Sequence, residues 1–243
     1  MRVPRVHLAQ PLAPGVEVAL DAAAARHLTR VLRLRPGGAL ALFNGDGCEY
    51  RARLLDAARV RVESADRPRT ESPLKITLAQ GIARGTRMDY IVQKAVELGV
   101  HALAPLATER SVVRLDATRG AARLAHWRAV AVSACEQSGR VRVPEIGAPQ
   151  TLAQWLDTAP AGLRWLLDPQ AAEGPAAGEA PAGDGVVLLI GPEGGLSPAE
   201  IECARGAGFR GIRLGPRVLR TETATVAALT TLQLQWGDLA TGG

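Results

Sequence analysis

The chain has 243 residues, enough for one large domain or two modest ones with a real core. Apolar residues make up 47% and charged residues 22%, an ordinary globular composition, and no run approaches the roughly 18 apolar residues that a membrane span needs. The three cysteines (Cys48, Cys135, Cys203) are far apart and odd in number, which excludes a disulfide framework and fits a reducing cytoplasm. The four histidines are equally scattered, so no metal site is expected, and the N-terminus has no apolar run of the kind a signal peptide carries.

Charge is more informative. The net charge is +5 and the isoelectric point about 9.7. Residues 1–73 hold 12 arginines against 8 acids, whereas the remainder holds 17 basic and 16 acidic groups. Positive charge gathered at one end points to an anionic partner, nucleic acid first among them. The competing explanation is a genome that uses arginine freely, since Lys75 and Lys94 are the only lysines.

Residues 1 to about 70 read as short strands and turns. Val16–Leu20 alternates apolar and polar side chains, as a half-buried strand does. Asp21 is placed to cap a helix running through Leu28, Val31 and Leu32. On such a helix Arg26, Arg30 and Arg33 share one face, which either lies along a phosphate backbone or is simply solvated. Ala39–Phe43 runs into the turn Asn44-Gly45-Asp46-Gly47, Glu49–Leu55 pairs back, and Arg59–Glu63 alternates again. Residues 66–73 have linker composition, with two prolines and no large apolar side chain, and mark a domain boundary between 1–70 and 74–243.

From Leu74 strands and helices alternate. Ile76–Ala79 is a strand. Thr86 caps a helix with Met88, Ile91, Val92, Ala95 and Leu98 on its buried face, ended by Gly99. Val100–Leu106 is the next strand, and a helix from about Ala121 to Ser138 stops at Gly139. Strands follow at Leu163–Leu167, Val186–Ile190 and Arg213-Leu214, and a closing helix covers about Thr223–Trp236. The alternation predicts an α/β domain with a mostly parallel sheet. The Ala/Pro/Gly/Glu run from Gln170 to Gly185 has nothing to bury and is expected to be a flexible loop.

The apolar strand Val186–Ile190 leads into Gly191-Pro192-Glu193-Gly194-Gly195-Leu196. Ser197, Pro198 and Glu200 then spell a capping box. Strand, glycine loop and helix start is the grammar of a ligand site, but the loop matches neither nucleotide-binding glycine pattern. It has an acid and no lysine, so it repels phosphate and tolerates a ligand with cationic parts; S-adenosylmethionine, with its sulfonium and ammonium, is one. The alternative is a tight turn in which Glu193 only accepts backbone hydrogen bonds. Leu214–Ala224 also follows a strand and precedes a helix of small residues.

These two segments, with Gln93–Val100, Thr108-Glu109-Arg110-Ser111 and Glu136-Gln137-Ser138-Gly139-Arg140, resemble in order and spacing the bacterial small-subunit ribosomal RNA uridine-N3 methyltransferases of the SPOUT superfamily. Val96, Arg84 and Thr86 depart from the family pattern. The resemblance implies a PUA-like RNA-binding β-barrel at 1–70 and a SPOUT α/β domain with a deep trefoil knot at 74–243. It implies a cytoplasmic homodimer acting on 16S ribosomal RNA or the small ribosomal subunit, with S-adenosylmethionine as cofactor and neither metal nor membrane.

On this reading the cofactor lies against three loops: Leu167-Asp168-Pro169, the stretch Gly191, Pro192, Glu193, Gly194, Gly195 and Leu196, and Leu214, Gly215, Leu219 and Thr221. Catalytic roles fall to Glu136, Arg140, Arg220 and Glu222, with Glu136 or Glu222 as base. Gln137 is a further candidate. RNA contacts fall to Arg5, Arg26, Arg30, Arg33 and Arg110. Competing readings are a SPOUT ribose 2′-O-methyltransferase and a non-catalytic RNA-binding ribosome-assembly factor.

Overall fold

The computed structural model describes residues 3–111, 117–175, 181 and 185–240. The chain divides into two compact units, Met1–Glu71 with Val132–Val143, and Ser72–Ala131 with Pro144–Gly243.

The first unit contains β1 (Arg5–His7), β2 (Glu17–Ala19), α1 (Ala22–Arg26), β3 (Ala39–Phe43), β4 (Glu49–Leu54) and β5 (Arg59–Asp66). The strand order is β1-β3-β4-β5-β2, antiparallel except for β1 beside β3. Alternation along β4 and β5 buries one face, and Leu28, Leu40, Leu42, Leu54, Val60 and Val62 form the centre of its core.

The expected arginine face is not a regular one. Asp21 caps α1 by accepting from the N–H groups of Ala23 and Ala24, but the helix passes at His27–Val31 into a π-turn, with Leu32 N–H bonded back to the His27 carbonyl. The wider turn breaks the four-residue spacing, and Arg33 lies beyond the helix with φ of 52°. Arg26 and Arg30 remain exposed.

Other charged groups here are engaged internally. The Arg5 side chain, 7% exposed, pairs with Glu49 at 2.7 Å, donates to the carbonyls of Cys135 and Arg140, and stacks over Phe43. Its guanidinium is thus engaged within the first unit. Glu71, in the stretch read as linker, is anchored by charge instead of apolar contact. It takes two bonds from Arg140 (3.0 and 2.7 Å) and the N–H groups of Val141 and Arg142. Glu136 accepts from the His7 N–H at 3.1 Å. Burial raises its carboxyl above the ordinary glutamate range, against the lowering pull of that bond, His27 and Arg5.

The second unit runs β6 (Ile76–Gly81), α2 (Thr86–Glu97), β7 (Ala102–Ala107), α3 (Ala117–Ser138), β8 (Glu145–Ile146), β9 (Gln150–Thr151), α4 (Leu152–Leu156), β10 (Leu163–Leu167), β11 (Val186–Ile190), α5 (Pro198–Gly206), β12 (Arg210–Ile212) and α6 (Thr221–Trp236), and the last turns of α3 cluster with the first unit. Its sheet is parallel throughout, in the order β12-β10-β11-β6-β7-β8, with β9 also on β7. β11 is buried at every position, which accounts for its unbroken apolar run.

Three local expectations shift. Thr86 is the first helical residue of α2 and not its cap; Gly85, with φ of 60°, turns the chain into the helix. The strand expected at 213–214 lies at 210–212, because Gly208 makes its turn earlier. Helix α6 starts at Thr221, two residues sooner, with Arg220 at its N-cap. The expected loop at 170–185 falls partly outside the described residues, at 176–180 and 182–184.

Candidate functional site

In an open parallel sheet, ligands sit beyond the carboxyl ends of the strands where the order switches. Strands β6, β11, β10 and β12 end side by side, and the segments that leave the last three line a cleft of about 970 Å³. It is walled by residues 166–170, 190–196 and 212–214 with 217–222. The three expected loops therefore meet in one place, Gly215 excepted; that glycine shapes the turn with φ of 71° and does not line the cleft. Arg110, Arg220 and Glu222 join the lining. Glu136, Arg140, Arg5, Arg26, Arg30 and Arg33 do not.

The glycine loop is held from beneath by a side chain that no motif announced. Gln80, fully buried at the end of β6, donates to Thr221 Oγ1 at 3.0 Å, to the Gly81 carbonyl at 3.0 Å and more weakly to the Gly191 carbonyl at 3.4 Å. Thr221 Oγ1 in turn donates to the Gly191 carbonyl at 2.8 Å, and Thr225 Oγ1 lies 2.8 Å from Gln80 Oε1. One amide thus joins β6, the loop after β11 and the first turn of α6. The only sequence signal was a glutamine directly after the expected strand Ile76–Ala79. Gly81 is needed for the same approach, since a Cβ there would lie 2.5 Å from the ring of Pro192.

Glu193 does hold the turn. Its Oε1 accepts from the Arg84 N–H at 3.0 Å and from Arg87 Nη1 at 2.9 Å. Burial alone would raise this carboxyl, but the two hydrogen bonds, its own N–H and the Arg87 charge outweigh it and hold it below the ordinary range. Arg87 also places Nε 3.8 Å from Glu222 Oε1. Glu222 Oε2 is buried and has no hydrogen-bond partner among the described residues, a state that costs free energy until a donor arrives.

A second carboxylate ties the far side. Glu200 closes the capping box with Ser197 and also accepts from the Glu109 N–H at 2.9 Å. Next to it, Arg110 Nη1 donates to the Gly194 carbonyl at 3.1 Å, so the turn 108–111 rests on the glycine loop. On the β10 side, buried Asp168 accepts from the Gln170 N–H at 2.9 Å and faces Arg205 at 3.5 Å.

The comparisons with known proteins agree with this geometry. A family model described as an RNA methyltransferase domain matches residues 70–233, and one described as an RNA methyltransferase PUA domain matches 20–63. A ribosomal RNA small subunit methyltransferase E from Buchnera aphidicola is 34% identical, covering 98% of this chain and 99% of that one. The Bacillus subtilis protein of the same name is 31% identical over 86% of each. A methyltransferase from Legionella pneumophila, solved with bound S-adenosylmethionine, superposes with a TM-score of 0.92 at 39% identity, covering 98% of this chain and 100% of that one. The ribosomal RNA small subunit methyltransferase E of Neisseria gonorrhoeae, solved with the same molecule bound, gives 0.91 at 39% identity with the same coverage.

Proposed function

The chain belongs to the ribosomal RNA small subunit methyltransferase E family, and from that membership we propose that it transfers the methyl group of S-adenosylmethionine to N3 of a uridine in 16S ribosomal RNA. The carrying observation is the glycine loop 191–195 at the ends of parallel strands, locked by Gln80 and Thr221 below and by Arg87 through Glu193 at its side. The reading includes a PUA-like RNA-binding domain at 1–70, a knotted SPOUT domain at 74–243, and a homodimer working in the cytoplasm. Among the described residues no helix is long and apolar enough to cross a membrane, and no group of side chains is arranged to hold a metal.

The residues present fit the cofactor. The cleft has the size of a small-molecule site, its glycines leave backbone groups bare, and the orphaned Glu222 oxygen awaits a donor. Residues 167–169 and 191–196, with Leu214, Leu219 and Thr221, would hold it. When bound, S-adenosylmethionine supplies a methyl group on a cationic sulfur that departs as a neutral thioether. Uracil N3 must shed its proton as it attacks, and Glu222 Oε2 is the acceptor within the cleft. Arg220 stabilises the negative charge that develops on the uracil oxygens. Holding both partners in line supplies much of the remaining acceleration. Glu136 and Arg140, engaged in the first unit, serve its packing.

The test is to incubate the protein with labelled S-adenosylmethionine and either free 16S ribosomal RNA or assembled small subunits, then map the product by mass spectrometry. N3-methyluridine is expected. A methyl on a ribose 2′-oxygen, or none, overturns the proposal.

A further inference from the structure

The cleft carries more positive charge than its cofactor calls for. Six arginines line it against four carboxylates. The carboxylates are already matched: Glu193 and Glu222 face Arg87, and Asp168 and Glu202 face Arg205. Arg110 is turned to the Gly194 carbonyl. Arg213, Arg217 and Arg220 remain, all exposed on one segment, with no ion pair to any described residue. Even the nearest acid is taken. Glu173, whose carbonyl accepts from the Arg213 N–H at 2.8 Å, gives its carboxylate to Arg210.

Such a surplus is misplaced for S-adenosylmethionine, which carries a sulfonium and an ammonium against one carboxylate. Like charges in a confined cleft repel it. A polyanion entering the same mouth would be drawn in, and guanidinium groups suit phosphate because they bind it through two parallel N–H bonds.

We propose that Arg213 and Arg217 form a phosphate-binding rim that grips the RNA backbone beside the nucleotide in the cleft. The inference rests on the function proposed above. It adds a further RNA contact on the catalytic unit, built from two residues to which the sequence reading gave no role. The irregular course of 213–220, with Val218 80% exposed, keeps both side chains at the mouth. Arg220, at the N-cap of α6, is left for the base.

The test compares the full chain with its R213Q/R217Q and R213K/R217K variants. Binding of a 16S ribosomal RNA transcript is measured across a salt series, and S-adenosylmethionine binding by calorimetry. For R213Q/R217Q, loss of two phosphate contacts should flatten the salt dependence of log K by about 1.4, at about 0.7 per single-strand phosphate, and weaken RNA binding about tenfold or more at moderate salt. S-adenosylmethionine affinity should stay within about twofold or tighten as repulsion is removed. The lysine variant keeps the charge and should keep most of the slope. An unchanged slope in R213Q/R217Q overturns the proposal, as does a parallel loss of cofactor affinity. Product mapping with the unaltered chain is separate: if it methylates another atom, the function proposed above falls while the phosphate rim stands on the binding data.

Discussion

Arg87 stands between two carboxylates, with Nη1 2.9 Å from Glu193 and Nε 3.8 Å from Glu222. It links the start of α2 to the glycine loop and to the first turn of α6. If it orients Glu222 for proton removal, R87Q should slow single-turnover methyl transfer by about tenfold or more, the range for losing a charge-assisted contact. In an E222Q background the same change should then cost little more. Losses that simply multiply would show that Arg87 acts elsewhere.

The Gln80 amide predicts a stability effect at a position remote from any motif. Q80L keeps the apolar bulk but orphans the Gly81 carbonyl and removes a donor to Thr221. About 2 kcal/mol of stability should be lost, together with weaker cofactor binding. Thr225 has the Thr221 carbonyl as a second acceptor 2.9 Å away, so its hydroxyl is not stranded. Denaturant melts that coincide with those of the unaltered protein would contradict this account.

Backbone proximity makes two glycines equally demanding. At Gly194 a Cβ would sit 3.1 Å from Arg110 Cβ, and G194V adds branches to that contact. At Gly81 even a methyl meets the Pro192 ring. Both G194V and G81A should cut S-adenosylmethionine affinity by about tenfold or more with the secondary structure intact. Calorimetry with circular dichroism checks both; full affinity in G81A would detach β6 from the loop.

Two glutamates should answer pH in opposite senses. Glu193 is held low, so its stabilisation is complete above the unfolded value and fades as pH falls through the folded one. Glu136 is pushed up, so its penalty is absent below the unfolded value, grows as pH rises toward the folded value, and is constant above it. E136Q should therefore gain stability at neutral pH and none in acid, whereas E193Q should lose stability at neutral pH and little in acid. Stability curves from pH 3 to 8, spanning the usual carboxylate range, decide both signs.

What the sequence made legible was local. The Ser197-Pro198-Glu200 capping box is written in four residues and forms as written. The strand at 186–190 is a continuous apolar run and that at 163–167 is apolar but for Arg164, and both lie where the sequence placed them. The meeting of the loops after β10, β11 and β12 was implied by the family resemblance, and the parallel strands account for it by putting their carboxyl ends together. Partnerships across long stretches of chain were not legible. Gln80 and Thr221 are 141 residues apart, and Arg87 and Glu193 are 106 apart, with no periodicity to relate them. Arg26, Arg30 and Arg33 misled because regular helical spacing was assumed where a π-turn intervenes. Glu71 looked like linker because its anchors, Arg140 and the N–H groups after it, come about 70 residues later.

The Gln80 junction also sets an order of events. Its partners lie on strand β6, on the loop at Gly191 and on α6, the last helix among the described residues. As a nascent chain emerges, β6 and β11 can pair before α6 exists, but the floor of the cleft stays unfastened until Thr221 arrives. Competence to bind ligand is thus deferred until that helix is made, and a chain cut short before it would keep much of its sheet while leaving the floor of the cleft unfastened.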